Sequence, residues 1–183
     1  MDISLDDLTA LTLAWDKKWP PPIAHALKHT APTWVRFHSL PESKRYADDE
    51  AEYQILLNRH HQVLRYLGDQ VSPTPIASVI VITVDEIISG SLLWRTIEAD
   101  VYDRTDDAPL YAIRLPLTPK ALDPLLRLVA DDQIGGVIIT DDSATWVYHP
   151  YDGGADVIAP TMSVRSTLCE RYADWLSTHP MGL

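Results

Sequence analysis

The chain has one cysteine, Cys169. An internal disulfide is excluded, and a single thiol is the usage expected in a reducing compartment. There is one phenylalanine against six tryptophans and eight tyrosines, so the aromatic core must be built from rings that carry a polar handle. Glycine is also scarce, 7 against 14 prolines, which predicts stiff, extended connections. Basic side chains are outnumbered, 15 against 26 acidic ones, for a net charge of −11. Nucleic acid and anionic membrane would be repelled by that field, whereas a basic protein partner would be attracted. The longest apolar stretch, Ile76 to Val84, is too short to span a bilayer. The first residues, Met1 to Asp7, place no basic region ahead of an apolar one, so no signal peptide is expected. The resulting expectation is a cytoplasmic protein. The chain also lacks a Gly-x-Gly-x-x-Gly fingerprint, a phosphate-binding Gly-rich loop ending in Lys-Ser/Thr, and a Gly-x-Ser-x-Gly elbow, which removes the common signals for dinucleotides, nucleoside triphosphates and serine hydrolases.

At 183 residues, the chain fits one domain, and a domain of this size buries about 70% of its unfolded surface without staples. Residues 1–30 are expected to be helical and to pack as an appendage: Ser4 is an N-cap with Asp6 and Asp7 in the first turn, and a second short helix is expected from Ile23 to His29. Trp34 to His38 alternates as a strand. Asp48 or Asp49 opens a long helix whose stripe is Tyr53, Leu56, Leu57, His60, Leu64 and Leu67, with Gly68 as its stop and His61 facing water. Ala77 to Val84 is expected as a central strand buried on both faces. Trp94 to Tyr102 and Leu110 to Leu115 form an antiparallel pair. Thr118-Pro119 opens a third helix, with Asp123-Pro124 as an alternative start. Val137 to Thr140 and Thr145 to Tyr148 make a hairpin. Thr161 caps a last helix reaching Leu176. This order predicts an α+β fold: a mainly antiparallel mixed sheet packed with about four helices.

The densest set of reactive side chains lies between Trp146 and Ile158. The strand there is expected to break at His149-Pro150, and Asp152-Gly153-Gly154 reads as a turn built on positive φ. His149, Tyr151, Asp152 and Asp156 then crowd one rim. His149 with the two carboxylates suits a divalent cation; the local alternative is an Asx turn at Asp152 and local pairing of Asp156. A second candidate follows the first strand: Arg36, His38, Ser39 and Arg45, with Lys44 between, could hold a small anion by charge-assisted bonds, or Arg36 could pair with a carboxylate on a neighbouring strand. His60, on an apolar stripe, reads as a hydrogen-bonded core histidine. His25 and His29 stand four apart, a faint metal spacing.

Three segments carry a resemblance: Trp34 to Tyr46 (WVRFHSLPESKRY), Tyr148 to Asp156 (YHPYDGGAD) and Ala173 to Leu183 (ADWLSTHPMGL). Through them the chain resembles uncharacterised bacterial proteins of a domain-of-unknown-function family, which implies a bacterial setting and supplies no catalytic residues. In size and charge it is also similar to immunity proteins that neutralise secreted toxins. The function expected first is a non-enzymatic protein-binding domain whose acidic surface engages a basic partner. The alternatives are a metal-assisted or acid–base hydrolase built on His38, His149, Asp152 and Asp156, and a small-anion sensor built on Arg36 and Arg45. A final expectation is that the two loops meet in one polar cleft, with His38 and His149 converging.

Overall fold

The computed structural model describes residues 2–22, 27, 31–70, 76–84, 86–98 and 107–176. Its α-helices are α1 (Leu5–Asp16), α2 (Glu50–Asp69), α3 (Pro119–Ala130) and α4 (Met162–Arg171). Its strands are β1 (Trp34–His38), β2 (Ser78–Val84), β3 (Leu92–Ile97), β4 (Ala108–Pro116), β5 (Ile138–Thr140), β6 (Val147–Tyr151) and β7 (Gly154–Ile158). The strands form one sheet in the order β1-β7-β6-β5-β2-β4-β3. Every pairing among them is antiparallel, so the sheet is not mixed. The arrangement is α+β, as expected from the sequence.

Alternation along the strands gives the sheet two apolar faces. One face carries Val35, Phe37, Val79, Val81, Ile139, Tyr148, Ala155 and Val157 and packs under α2, α3 and α4 through Leu56, Leu57, Leu64, Leu126, Val129 and Leu168. The other carries Ile80, Ile82, Ala112, Ile138, Val147 and Ile158. The N-terminal segment expected as an appendage contributes Leu8, Leu11 and Trp15 to that second core. Ser4 accepts from the Asp7 amide, and the Asp7 side chain closes the reciprocal bond, a capping box. β2 is buried on both faces, as its apolar run predicts.

Four local expectations need correction. Gly68 does not stop α2, which runs to Asp69 with Gln70 as its cap. A Cβ at Gly68 would lie 2.8 Å from Ile76 Cγ1, so glycine is there for close packing. His61 is buried and pairs with Asp123 at 2.5 Å, because α3 lies against this side of α2. α4 ends at Arg171, and Leu176 instead makes an extended bridge to Phe37. β6 does not break at His149-Pro150. It continues to Tyr151, with Pro150 opposite Ala155. On its other side β6 is paired with β5 only at Ile139↔Tyr148, so a missing N–H at Pro150 interrupts no ladder there. Helix α3 starts at Pro119 and carries Pro124 in its interior, so the earlier of its two possible starts is the one used. The short helix expected over residues 23–29, with the pair His25 and His29, lies outside the described residues apart from Leu27, which is helical and buried.

Candidate functional site

The first-strand loop and the β6–β7 hairpin meet. β1 and β6 both pair antiparallel with β7, so they run the same way and end at the same rim. His38 is opposite Gly154, which is opposite Tyr151. Ser39 N–H donates to the Gly153 carbonyl at 3.1 Å. Arg45 Nε donates to Asp152 Oδ2, and Tyr46 Oη donates to the same oxygen at 3.0 Å. The Arg45 guanidinium stacks 5.3 Å over the Tyr46 ring.

The turn itself is not built on positive φ: neither Gly153 nor Gly154 is in the left-handed region. Gly154 is required by contact instead. A Cβ there would lie 2.0 Å from the Phe37 carbonyl oxygen, so β1 can approach the hairpin only against glycine.

Arg36 and Asp156 are register partners and make a bidentate pair, Nε to Oδ1 and Nη2 to Oδ2, both at 2.8 Å. Trp34 Nε1 adds a third donor at 2.9 Å. The Arg36 guanidinium lies 5.7 Å from the Trp34 ring and 5.0 Å from the Tyr151 ring. Burial pushes the Tyr151 phenol up to about 12, so it stays neutral beside this cation. Arg36 therefore pairs with a carboxylate on a neighbouring strand.

Ser39 and His60 belong to a buried relay. Ser39 Oγ lies 3.1 Å from His60 Nε2, and His60 Nδ1 lies 2.5 Å from Tyr148 Oη. All three residues are buried. A neutral imidazole donates from one nitrogen and accepts at the other, so it ties the end of β1 to α2 and β6. Burial lowers the His60 pKa from 6.5 to about 3. A cavity of about 10 Å³ beside it is lined by His38, Arg59, His60 and Trp175, among others, which is room for about one water molecule. Burial also lowers the His38 pKa, helped by Arg36, and its buried Nε2 has no hydrogen-bond partner among the described residues.

His149 lies elsewhere. Its Nδ1–H donates to the Val137 carbonyl at 2.8 Å. With Pro150, Tyr151 and Asp152 it lines a recess of about 190 Å³ whose opposite wall is Asp132, Ile134, Gly135 and Gly136. The two cavities share no lining residue. The loops converge, while the two imidazoles line separate spaces. Asp156 is outside the recess, engaged by Arg36 and Trp34. Among the described residues, no group of three or more His, Cys, Asp or Glu side chains is placed to hold a metal ion.

Sequence reasoning missed Tyr46, Tyr148 and Asp132 as members of this region. Asp132 carried the one usable signal: it stands two residues past the end of α3, where a carboxylate opposes the helix dipole. It also takes φ +55.

The fold and this rim define a three-layer α+β domain with polar loops gathered at one end of its sheet. The chain belongs to the family described as Domain of unknown function (DUF3885), whose model matches residues 23–180. No curated protein and no solved structure matches it. No helix among the described residues is long and apolar enough to cross a membrane.

Proposed function

We propose that the chain is a protein-binding domain that works in the cytoplasm and engages a basic protein, in the manner of immunity proteins. One observation carries this reading. In many of its ion pairs the cation lies beneath and the carboxylate faces solvent. Side-chain exposure is 35% for Lys44 against 83% for Asp48, 22% for Arg95 against 57% for Asp16, 12% for Arg114 against 64% for Asp142, and 32% for Arg127 against 66% for Glu50. The surface a partner meets is thus more acidic than a count of paired charges would suggest. Such a field speeds encounter with a basic protein and repels nucleic acid and anionic lipid. The lone Cys169 suits a reducing compartment.

The catalytic alternatives lose support from geometry. Asp152 and Asp156 are each held by an arginine, which also occupies the two guanidinium groups that an anion sensor would need free. The test is capture on the immobilised full chain at low and high salt. A basic protein should be retained at low salt and released as salt screens the field. The product of an adjacent reading frame is the first candidate to purify. Recovery of nucleic acid in place of protein would overturn the reading.

A further inference from the structure

The direction of the hydrogen bonds around His60 fixes what the small cavity beside it can hold. Tyr148 is buried, and among the described residues His60 Nδ1 is the one acceptor for its O–H. His60 is neutral. With Nδ1 accepting, its proton sits on Nε2 and is donated to Ser39 Oγ at 3.1 Å. The Ser39 O–H is then left to donate into the cavity, which Ser39 lines. His38 lines it too. Burial and then Arg36 lower the His38 pKa from 6.5, so its ring is neutral at pH 7, and the Gly153 backbone hydrogen-bonds to that ring. Since Nε2 has no partner among the described residues, this bond falls on Nδ1, whose proton goes to the Gly153 carbonyl. His38 Nε2 is therefore a bare acceptor closed off from solvent, a group that is costly to leave unbonded. Arg59 also lines the cavity. Its Nη1 donates to the His38 carbonyl at 2.9 Å, and the guanidinium keeps further N–H donors. None of the described side chains around the cavity is a carboxylate.

We propose that this cavity is a binding site for one ordered water molecule, which accepts from the Ser39 O–H and donates to His38 Nε2. The volume of about 10 Å³ matches a single water, and Ser39, His38 and Arg59 supply the two to four polar partners that a buried water needs. The ligand must donate and accept at once. A halide cannot donate to Nε2, and a cation cannot accept from Ser39 and would face Arg59. The water completes a directed chain from Tyr148 through His60, Ser39 and His38 to the Gly153 carbonyl. That chain joins β6, α2 and β1 to the β6–β7 turn, so the turn carrying Asp152 is positioned from the core as well as by the Ser39 amide. The inference is independent of any protein partner.

The test is NMR of the isotope-labelled full chain, with solvent water as the probe. Val63 and Ala155 line the cavity and are 2% and 3% exposed, so bulk solvent does not reach their methyl groups. Cross-relaxation from a long-lived water to both sets of methyls is expected. The nitrogen-15 shifts of the imidazoles, which separate N–H from bare nitrogen, should place the proton of His60 on Nε2 and that of His38 on Nδ1. Val63→Ile puts a methyl group into the space: the water signals should be lost, and His38 Nε2 should shift as an acceptor that has lost its donor. Exchanging chloride for sulfate in the buffer should change none of these signals. Absence of water contacts to the methyls in the wild type would overturn the site. So would a proton on His60 Nδ1 or on His38 Nε2, or a His38 shift that follows chloride, which would mark an anion in place of water. Water contacts that persist in a folded Val63→Ile variant would place the water elsewhere and overturn it as well. The wild-type measurements decide the question if that variant does not fold.

Discussion

Gly153 and Gly154 are neighbours in one turn with opposite tolerances. A Cβ at Gly153 would lie 3.4 Å from Tyr151 Cε2, an ordinary contact, while one at Gly154 would meet the Phe37 carbonyl at 2.0 Å. Gly153→Ala should therefore leave the denaturation midpoint nearly unchanged. Gly154→Ala should cost about 3 kcal/mol or more, because backbone must move to admit the methyl. Equal midpoints for the two variants would refute the contact account. His60 supports a second prediction at this scale. Its folded pKa of about 3 lies below the ordinary 6.5. Below pH 6.5 the unfolded chain binds a proton that the folded chain does not. The stability contributed by neutral His60 is thus fully present above pH 6.5 and is lost as pH falls toward 3, at up to about 1.4 kcal/mol per pH unit. Urea unfolding of the wild type and His60→Gln across that window checks it: the substituted chain should lose this part of the slope. The sequence showed His60 as a core histidine because it shares a stripe with Leu56, Leu57 and Leu64. It could not show Tyr148, 88 residues away, or the pairing of Arg36 with Asp156 across 120 residues, since contacts of that kind are decided by strand order.

At the scale of elements, α2 shows why spacing was informative. Leu56, Leu57, Leu64 and Leu67 are all at most 2% exposed, while Ile55 is 42% exposed. Leu57→Ala should cost about 2–5 kcal/mol by opening a cavity, and Ile55→Ala should fall within about 0.5 kcal/mol of wild type. A denaturation midpoint unmoved by Leu57→Ala would mean that the stripe is not the packing face. Starts were legible because caps are local: Ser4, Asp49 and Thr161 each accept a backbone N–H three residues on. The Trp34–His38 strand was legible because its alternation is unbroken. Ends were less so. Gly68 carries the composition of a stop and the function of a packing contact with Ile76. Pro150 carries the composition of a breaker, and whether it breaks a strand depends on how far β5 extends. His61 lies beside the stripe, and only the placement of α3 buries it.

At the scale of the whole molecule, an open antiparallel sheet has two edges, and this chain protects them differently. On β1 the outer side is met by Leu176 at Phe37, by Arg165 Nε on the Trp34 carbonyl at 2.8 Å and by Arg59 Nη1 on the His38 carbonyl at 2.9 Å. On β3 no further strand follows among the described residues. Its defences are a register break between Leu93 and Arg95 and the charge of Arg95, which pairs with Asp16 at 2.9 Å and stacks 4.1 Å over Trp94. Bulges and charges are the usual means of keeping an edge from pairing with another copy. Without the charge, the run from Leu92 to Ile97 would be apolar or β-branched throughout, with Leu93 already 54% exposed, the composition that favours edge-to-edge pairing. Arg95→Val should therefore raise the average mass seen by light scattering above that of the wild type at equal concentration, with the far-ultraviolet spectrum retained. The net charge of −11 opposes association of like copies, so the difference should widen as salt is added. If the substituted chain scattered like the wild type at every salt concentration, the bulge alone would be sufficient and Arg95 would serve only to hold α1 through Asp16.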